Sequence, residues 1–204
     1  MFILGLTGSI GMGKSTASDT FRRFGIAVYD ADAAVHAMMM PGGTAFAEIC
    51  NAFPDVCSKT CIDRKQLGDI VFVDKEALGR LESIIHPLVR KHKQNFLKQS
   101  ARRRYRMVVL DVPLLYETAG QIACDAVVVV TAPEFVQRAR VMSRPGMTIE
   151  KYESILAKQI PDVLKRRYAE FVVQTGIGRL ESFRAIRHII GITQAKKPSK
   201  WSQY

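Results

Sequence analysis

The sequence predicts an α/β fold, with a parallel sheet carrying helices on both faces. Three observations predict it. Short apolar runs at residues 2–6, 107–115 and 126–133 read as buried strands, and helical patterns separate them. A glycine-rich stretch, GLTGSIGMGKST at residues 5–16, sits where the first run gives way to the first helix. Continuous apolar runs of this length suit strands covered on both faces, and alternation of strand with helix argues for a parallel sheet.

Each element follows in order. The run FILGL stops at Thr7-Gly8, and from Lys14 a helix places Ala17, Phe21 and Phe24 near one face before Gly25 closes it. IAVYDAD, residues 26–32, reads as a second strand ending in two carboxylates, Asp30 and Asp32. About seventy residues separate it from the third strand, MVVLDVPLL, far more than the dozen or so of a simple crossover. Residues 67–97 are helical in pattern, so this segment is expected to form a helical lobe. AVVVVTAP is the fourth strand, and the weaker EFVVQT near Phe171 the fifth. Residues 135–167 read as an arginine-rich helical pair, broken at Pro145-Gly146 and Pro161, suited to moving over a ligand.

Composition narrows the function. With 204 residues, 48% hydrophobic and 24% charged, the chain reads as an ordinary soluble domain, and no apolar run approaches the roughly 18 residues that span a bilayer. The first residues lack a signal-peptide pattern, so the expected location is cytoplasmic, with no membrane partner. Cys50, Cys57, Cys61 and Cys124 form no CxxC pair and are expected to be isolated reduced thiols. The formal charge of +11 favours anionic partners. The densest basic runs, RRRYR at residues 102–106 and AKKPSK in the tail AKKPSKWSQY, lack interleaved aromatics and are expected to be solvated rather than to bind nucleic acid.

Gly8, Gly13, Lys14 and Ser15 match GxxxxGK[ST] at every fixed position, in the required strand-then-helix context. Backbone N–H groups of residues 8–16 (Gly8, Ser9, Ile10, Gly11, Met12, Gly13, Lys14, Ser15, Thr16) converge on phosphate there, Lys14 reaches the outer phosphates, and the Ser15 hydroxyl suits Mg²⁺. ATP or GTP with Mg²⁺ is therefore expected. Ligands of open parallel sheets gather at the carboxyl ends of strands, which brings in Asp30, Asp32 and Asp111 as proton acceptors or metal partners, or else as helix caps or members of structural ion pairs. Arginines must meet charge on the transferring phosphoryl group. Of Arg138, Arg140, Arg144, Arg166 and Arg167, the helical spacing of Arg140 and Arg144 puts those two on one face.

In these residues the sequence resembles the bacterial dephospho-CoA kinase family across the whole chain. The resemblance rests on GLTGSIGMGKS, on DAD at residues 30–32, on His86-Pro87, on DVPLLYE at residues 111–117, on RARVMSR at residues 138–144 and on Gln159. It implies a three-layer P-loop NTPase fold with a parallel five-stranded sheet, a nucleotide-binding core at 1–35 and 105–204, a helical acceptor-binding lobe at 36–104 and a lid at 136–168. It implies transfer of the ATP γ-phosphate to the ribose 3′-hydroxyl of dephospho-CoA, with Mg²⁺, by a monomer or weak homo-oligomer. Asp32 would be the catalytic base, Lys14 and Ser15 the phosphate and Mg²⁺ contacts, and Arg140 and Arg144 nucleotide or transition-state contacts. Thr7, Asp32, His86, Pro87, Asp111, Pro113 and Leu114 would shape the acceptor site, although His86 also fits a helix N-terminus with Pro87 at its first position. The chain departs from the family at Ser9 and Met12, which the phosphate motif does not fix, and at AEFVVQTG, residues 169–176, which bears on the adenine pocket.

Rival readings remain. A kinase for a nucleoside or nucleoside monophosphate shares the core, but the long insertion after Asp32 favours a bulkier acceptor. A GTP-dependent switch needs an NKxD-type element that VVVVTAPE lacks, and a nucleic-acid ATPase needs helicase-like motifs that are absent.

Overall fold

The computed structural model describes residues 1–58 and 60–201, so residues 202–204 of the tail lie outside the described residues. The elements, in chain order, are β1 (Phe2–Thr7), α1 (Lys14–Arg23), β2 (Ala27–Asp30), α2 (Ala31–Met39), α3 (Phe46–Ala52), α4 (Arg64–Val73), α5 (Lys75–Arg102), β3 (Met107–Asp111), β4 (Ala126–Thr131), α6 (Glu134–Met142), α7 (Ile149–Ala157), α8 (Asp162–Tyr168), β5 (Phe171–Gln174) and α9 (Arg179–Ala195). Two compact units emerge: Met1–Tyr29 with Ser100–Tyr204, and Asp30–Gln99.

The first unit holds a five-stranded parallel sheet of order β2-β3-β1-β4-β5. Every residue of β1, β3 and β4 is buried, which is what uninterrupted apolar strands require, whereas edge strand β5 buries only Val173 fully. Phe2, Leu4 and Leu6 of β1 share a core with Met107 and Val109, with Ala17 and Phe21 of α1, and with Ile186 and Ile189 of α9. On the other face α8 packs against β4. Register sets the functional edge: Leu6 lies beside Asp111 of β3, and Thr7 beside Val129 of β4, so the ends of three strands meet at one rim.

The second unit is helical. Asp30, Asp63 and Asp74 begin α2, α4 and α5, each accepting hydrogen bonds from backbone N–H groups of the first turn. Its interior includes Ala34, Met38, Ile49, Phe53, Leu67 and Ala77.

Four expectations change. The second strand ends at Asp30, because that side chain caps Ala33 N at 2.9 Å and turns the chain into α2, so Asp32 stands in a helical first turn rather than on a strand. His86-Pro87 lies inside the 28-residue α5, not at a helix start; the true cap is Asp74, and Pro87 leaves the Ser83 carbonyl without its helical partner, a cost of about 3 kcal/mol. The arginine-rich segment forms three helices, α6 to α8, rather than a pair. Cys50 and Cys57 form a disulfide, since the end of α3 and the 3₁₀ turn at Pro54–Val56 bring their Cα atoms to 5.4 Å; Cys61 and Cys124 are free. Among the described residues, no helix is long and apolar enough to cross a membrane.

Candidate active site

The loop after β1 is held from outside by side chains. Gly13 adopts φ +86°, a left-handed conformation that favours glycine, and a Cβ there would stand 2.8 Å from Thr175 Oγ1. Three successive loop carbonyls accept side-chain donors: Ile10 O from Gln137 Nε2 at 2.7 Å, Gly11 O from Arg140 Nη1 at 3.4 Å, and Met12 O from Thr175 Oγ1 at 2.6 Å. With those carbonyls occupied from outside the loop, and the Met12 N–H closing a turn on Ser9 O at 3.1 Å, the Gly11 and Gly13 N–H groups are the ones available to a phosphate cradle. The N-terminus of α1 has no side-chain cap and no acidic residue in its first turn, so its N–H groups and partial positive charge add to the cradle.

Lys14, the first residue of α1, extends to the end of β3, where its Nζ lies 2.6 Å from Asp111 Oδ1. Asp111 is 2% exposed, and a carboxylate so deeply buried needs a cation. Thr7 Oγ1 donates to Pro113 O at 2.8 Å, which ties the end of β1 to the turn after β3; Leu114, next in that turn, is 41% exposed. Ser15, which follows Lys14 in α1, is exposed. A hydroxyl and a single carboxylate fit Mg²⁺, which keeps several waters and borrows substrate phosphates rather than needing a protein cage. No cluster of three or more metal-binding side chains occurs among the described residues. Ser15 and Asp111 are the residues that could hold the ion.

The arginines separate. Arg140 spends its guanidinium on Thr175 Oγ1 at 3.0 Å, Thr175 O at 2.8 Å and the Gly11 carbonyl, and so braces the loop. Because α6 ends at Met142 with Ser143 as its cap, Arg144 lies beyond the helix and exposed, and the expected shared face does not continue to it. Arg138 is exposed. Arg166 pairs with Asp162 at 3.1 Å and lines a cavity of about 650 Å³ with Ser9, Met12, Tyr152 and Leu156. Asp162 also accepts from Thr131 Oγ1 at 2.7 Å, which fastens α8 to the end of β4.

In the helical unit, Asp30 is the cap of α2, Asp32 is exposed in its first turn, and His86 and Pro87 are exposed on α5.

Residues 2–178 match the family described as CoaE, Dephospho-CoA kinase. The chain belongs to the dephospho-CoA kinase family. Among its relatives, a dephospho-CoA kinase from Paramagnetospirillum magneticum is 50% identical over 199 residues, covering 98% of this chain and 94% of its own. One from Rhodospirillum rubrum is 53% identical over 186 residues, covering 91% and 88%. Of solved structures, TT1252 from Thermus thermophilus superposes with a TM-score of 0.82 at 30% identity, covering 96% of this chain and 98% of its own. A shikimate kinase from Acinetobacter baumannii, at 16% identity and TM-score 0.54 over 96% of each chain, shares the fold.

Four residues of this dephospho-CoA kinase family site escaped the sequence reading of the site. Gln137 and Thr175 hold the loop, and Glu117 and Lys165 form an ion pair at 2.8 Å with Lys165 fully buried. Lys165 stands in a run with Arg166 and Arg167, so nothing local distinguished it from surface charge. Glu117 closes the DVPLLYE motif, which was the one available signal.

Proposed function

We propose that the protein transfers the γ-phosphoryl group of ATP to the ribose 3′-hydroxyl of dephospho-CoA, giving coenzyme A and ADP. The observation that carries this is the pairing of Lys14 with buried Asp111 beside an outward-braced phosphate loop, in a chain half identical to dephospho-CoA kinases over nearly its whole length.

The loop N–H groups and Lys14 bind the β- and γ-phosphates, and incoming phosphate oxygens share the Lys14 ammonium with Asp111. Ser15 and Asp111 would hold Mg²⁺, which when bound would neutralise phosphate charge. Asp32 accepts the proton of the attacking 3′-hydroxyl as its oxygen bonds to phosphorus and the bond to ADP breaks. Support for Asp32 comes from its place two residues beyond β2, exposed, while Asp30 is spent on capping. Arg140 serves the nucleotide side by bracing the loop. Residues 36–104, including His86 and Pro87, serve as the acceptor-binding lobe, and residues 136–168, with Arg144, as the lid that excludes water during transfer. Its place of action is the cytoplasm, with ATP and dephospho-CoA as its partners.

ADP release measured with dephospho-CoA, adenosine and AMP as acceptors tests the assignment. Dephospho-CoA is expected to dominate; equal ADP release with adenosine would point to a nucleoside kinase instead.

A further inference from the structure

We infer that Glu117 and Lys165 are a positioning pair that sets the phosphate loop through Gln159. Lys165 is fully buried in α8, and its Nζ lies 2.8 Å from Glu117 Oε1. The same carboxylate oxygen accepts the Ile160 N–H at 2.9 Å. Burial would raise the Glu117 carboxyl, but Lys165 and the Ile160 N–H outweigh it and hold the group below its ordinary value, so it is ionised. The residue before Ile160 is Gln159, whose Oε1 accepts the Ile10 N–H of the phosphate loop at 3.1 Å.

One short chain of contacts therefore runs from a buried ion pair to a phosphate-loop peptide. Ile10 is gripped at both ends, its N–H by Gln159 and its carbonyl by Gln137. Gln137 lies on α6, directly after β4, and needs no help to stay in place. Gln159 lies in the connection between α7 and α8, held on the α7 side by its N–H on Leu156 O at 3.0 Å and continuing on the other side into Ile160. The Glu117 carboxylate supplies the fixation on the far side, by holding the Ile160 peptide and, through Lys165, the helix that follows. If the Gln159-Ile160 step drifts, the Ile10 peptide loses its N–H partner and the N–H groups after it lose their aim at phosphate. The expected consequence falls on ATP, not on the acceptor.

A pair kept only for stability behaves differently. Replacing a buried ion pair with apolar residues of similar volume is often neutral or stabilising. The variant Glu117→Leu with Lys165→Met removes both charges while filling the space, and takes away the acceptor for Ile160 N–H. ATP binding is read by calorimetry with Mg²⁺ and without acceptor, beside thermal melting. The double variant is expected to melt near the wild-type temperature yet bind ATP about tenfold more weakly, the loss of one charge-assisted hydrogen bond's worth of positioning. In turnover, KM for ATP should rise by the same factor while KM for dephospho-CoA stays put.

Gln159→Ala, which alters one half-buried side chain, is expected to weaken ATP binding by a similar factor, and its combination with Glu117→Gln to add less than the two separately. Wild-type ATP affinity in Gln159→Ala overturns the proposal, whether or not the apolar pair folds. So does a folded apolar pair with unchanged ATP affinity. The inference rests on reading the loop as a nucleoside triphosphate site: failure of the wild-type protein to bind ATP would sink that reading, whereas normal binding in every variant sinks only this inference.

Discussion

The rim of the sheet and the helical unit are built by opposite means. At the rim, six side chains pin the phosphate loop and its surroundings: Lys14 on Asp111, Thr7 on Pro113, Gln137 and Gln159 on Ile10, Arg140 and Thr175 on the following carbonyls. Residues 30–99 rely instead on capping aspartates, a small apolar interior and the Cys50–Cys57 disulfide. The first region fixes the positions of individual donors; the second fixes an outline. Phosphoryl transfer needs donors held to fractions of an ångström, because misplacement by about 1 Å can cost two orders of magnitude in rate.

The largest expected effects test whether chemistry divides along the same line. Asp32→Asn, in the helical unit, is expected to lower kcat by about 10²–10⁴-fold, the range for removing a general base, with ATP affinity intact. Steady-state kinetics beside ATP calorimetry decides it; turnover retained with ATP binding lost would place Asp32 on the donor side and erase the contrast. Lys14→Ala comes next. It removes the cation that both phosphate and buried Asp111 require, so kcat/KM should fall about 10²–10³-fold with weaker ATP binding as well. Unaltered kinetics would exclude the loop as the site of transfer.

The same division explains what the sequence made readable. β1, β3 and β4 announce themselves because burial on both faces demands unbroken apolar runs, and the phosphate motif is a local string whose context sits within 16 residues. Local competition blurred the rest. Asp30 and Asp32 looked alike, and only the Asp30 bond to Ala33 N decides that the strand stops and the helix starts. Pro87 suggested a helix start, while Asp74 thirteen residues earlier had already capped a helix long enough to absorb it. The loop's braces were invisible because Gln137, Gln159 and Thr175 reach it across 127, 149 and 163 positions of sequence.

A smaller effect tests the outline itself. The disulfide closes a short segment, with its cysteines seven residues apart, and chain-entropy reasoning credits such a crosslink with about 2 kcal/mol. Cys50→Ser with Cys57→Ser is expected to speed hydrogen exchange in α3 and the adjoining 3₁₀ turn, leaving β1 and β4 protected. Loosening that spread equally through the sheet would show that the crosslink supports more than its own unit.

The smallest effect lies at the opposite end of the sheet, where Asp125 precedes β4. Its carboxylate accepts the Ile3 N–H at 2.7 Å, the Lys200 N–H and Ser199 hydroxyl at 2.9 Å, and the Ser199 N–H, so the tail is fastened beside the amino end of β1. Burial would raise this group, but those donors outweigh it and hold it below its ordinary 3.8. A carboxyl lowered by folding stabilises the fold fully above its ordinary value and loses that contribution as the pH falls through the lowered one. The Ser199 and Lys200 amide resonances are therefore expected to keep their folded positions from neutral pH down to the ordinary carboxylate value, and to shift only below it. Asp125→Ala should release both amides at neutral pH while kcat and both KM values hold, since the clamp's partners are Ile3, Ser199 and Lys200 rather than residues of the phosphate rim. A fall in turnover in that variant would mean that the two ends of the sheet are coupled, and that the rim owes its rigidity to more than its own braces.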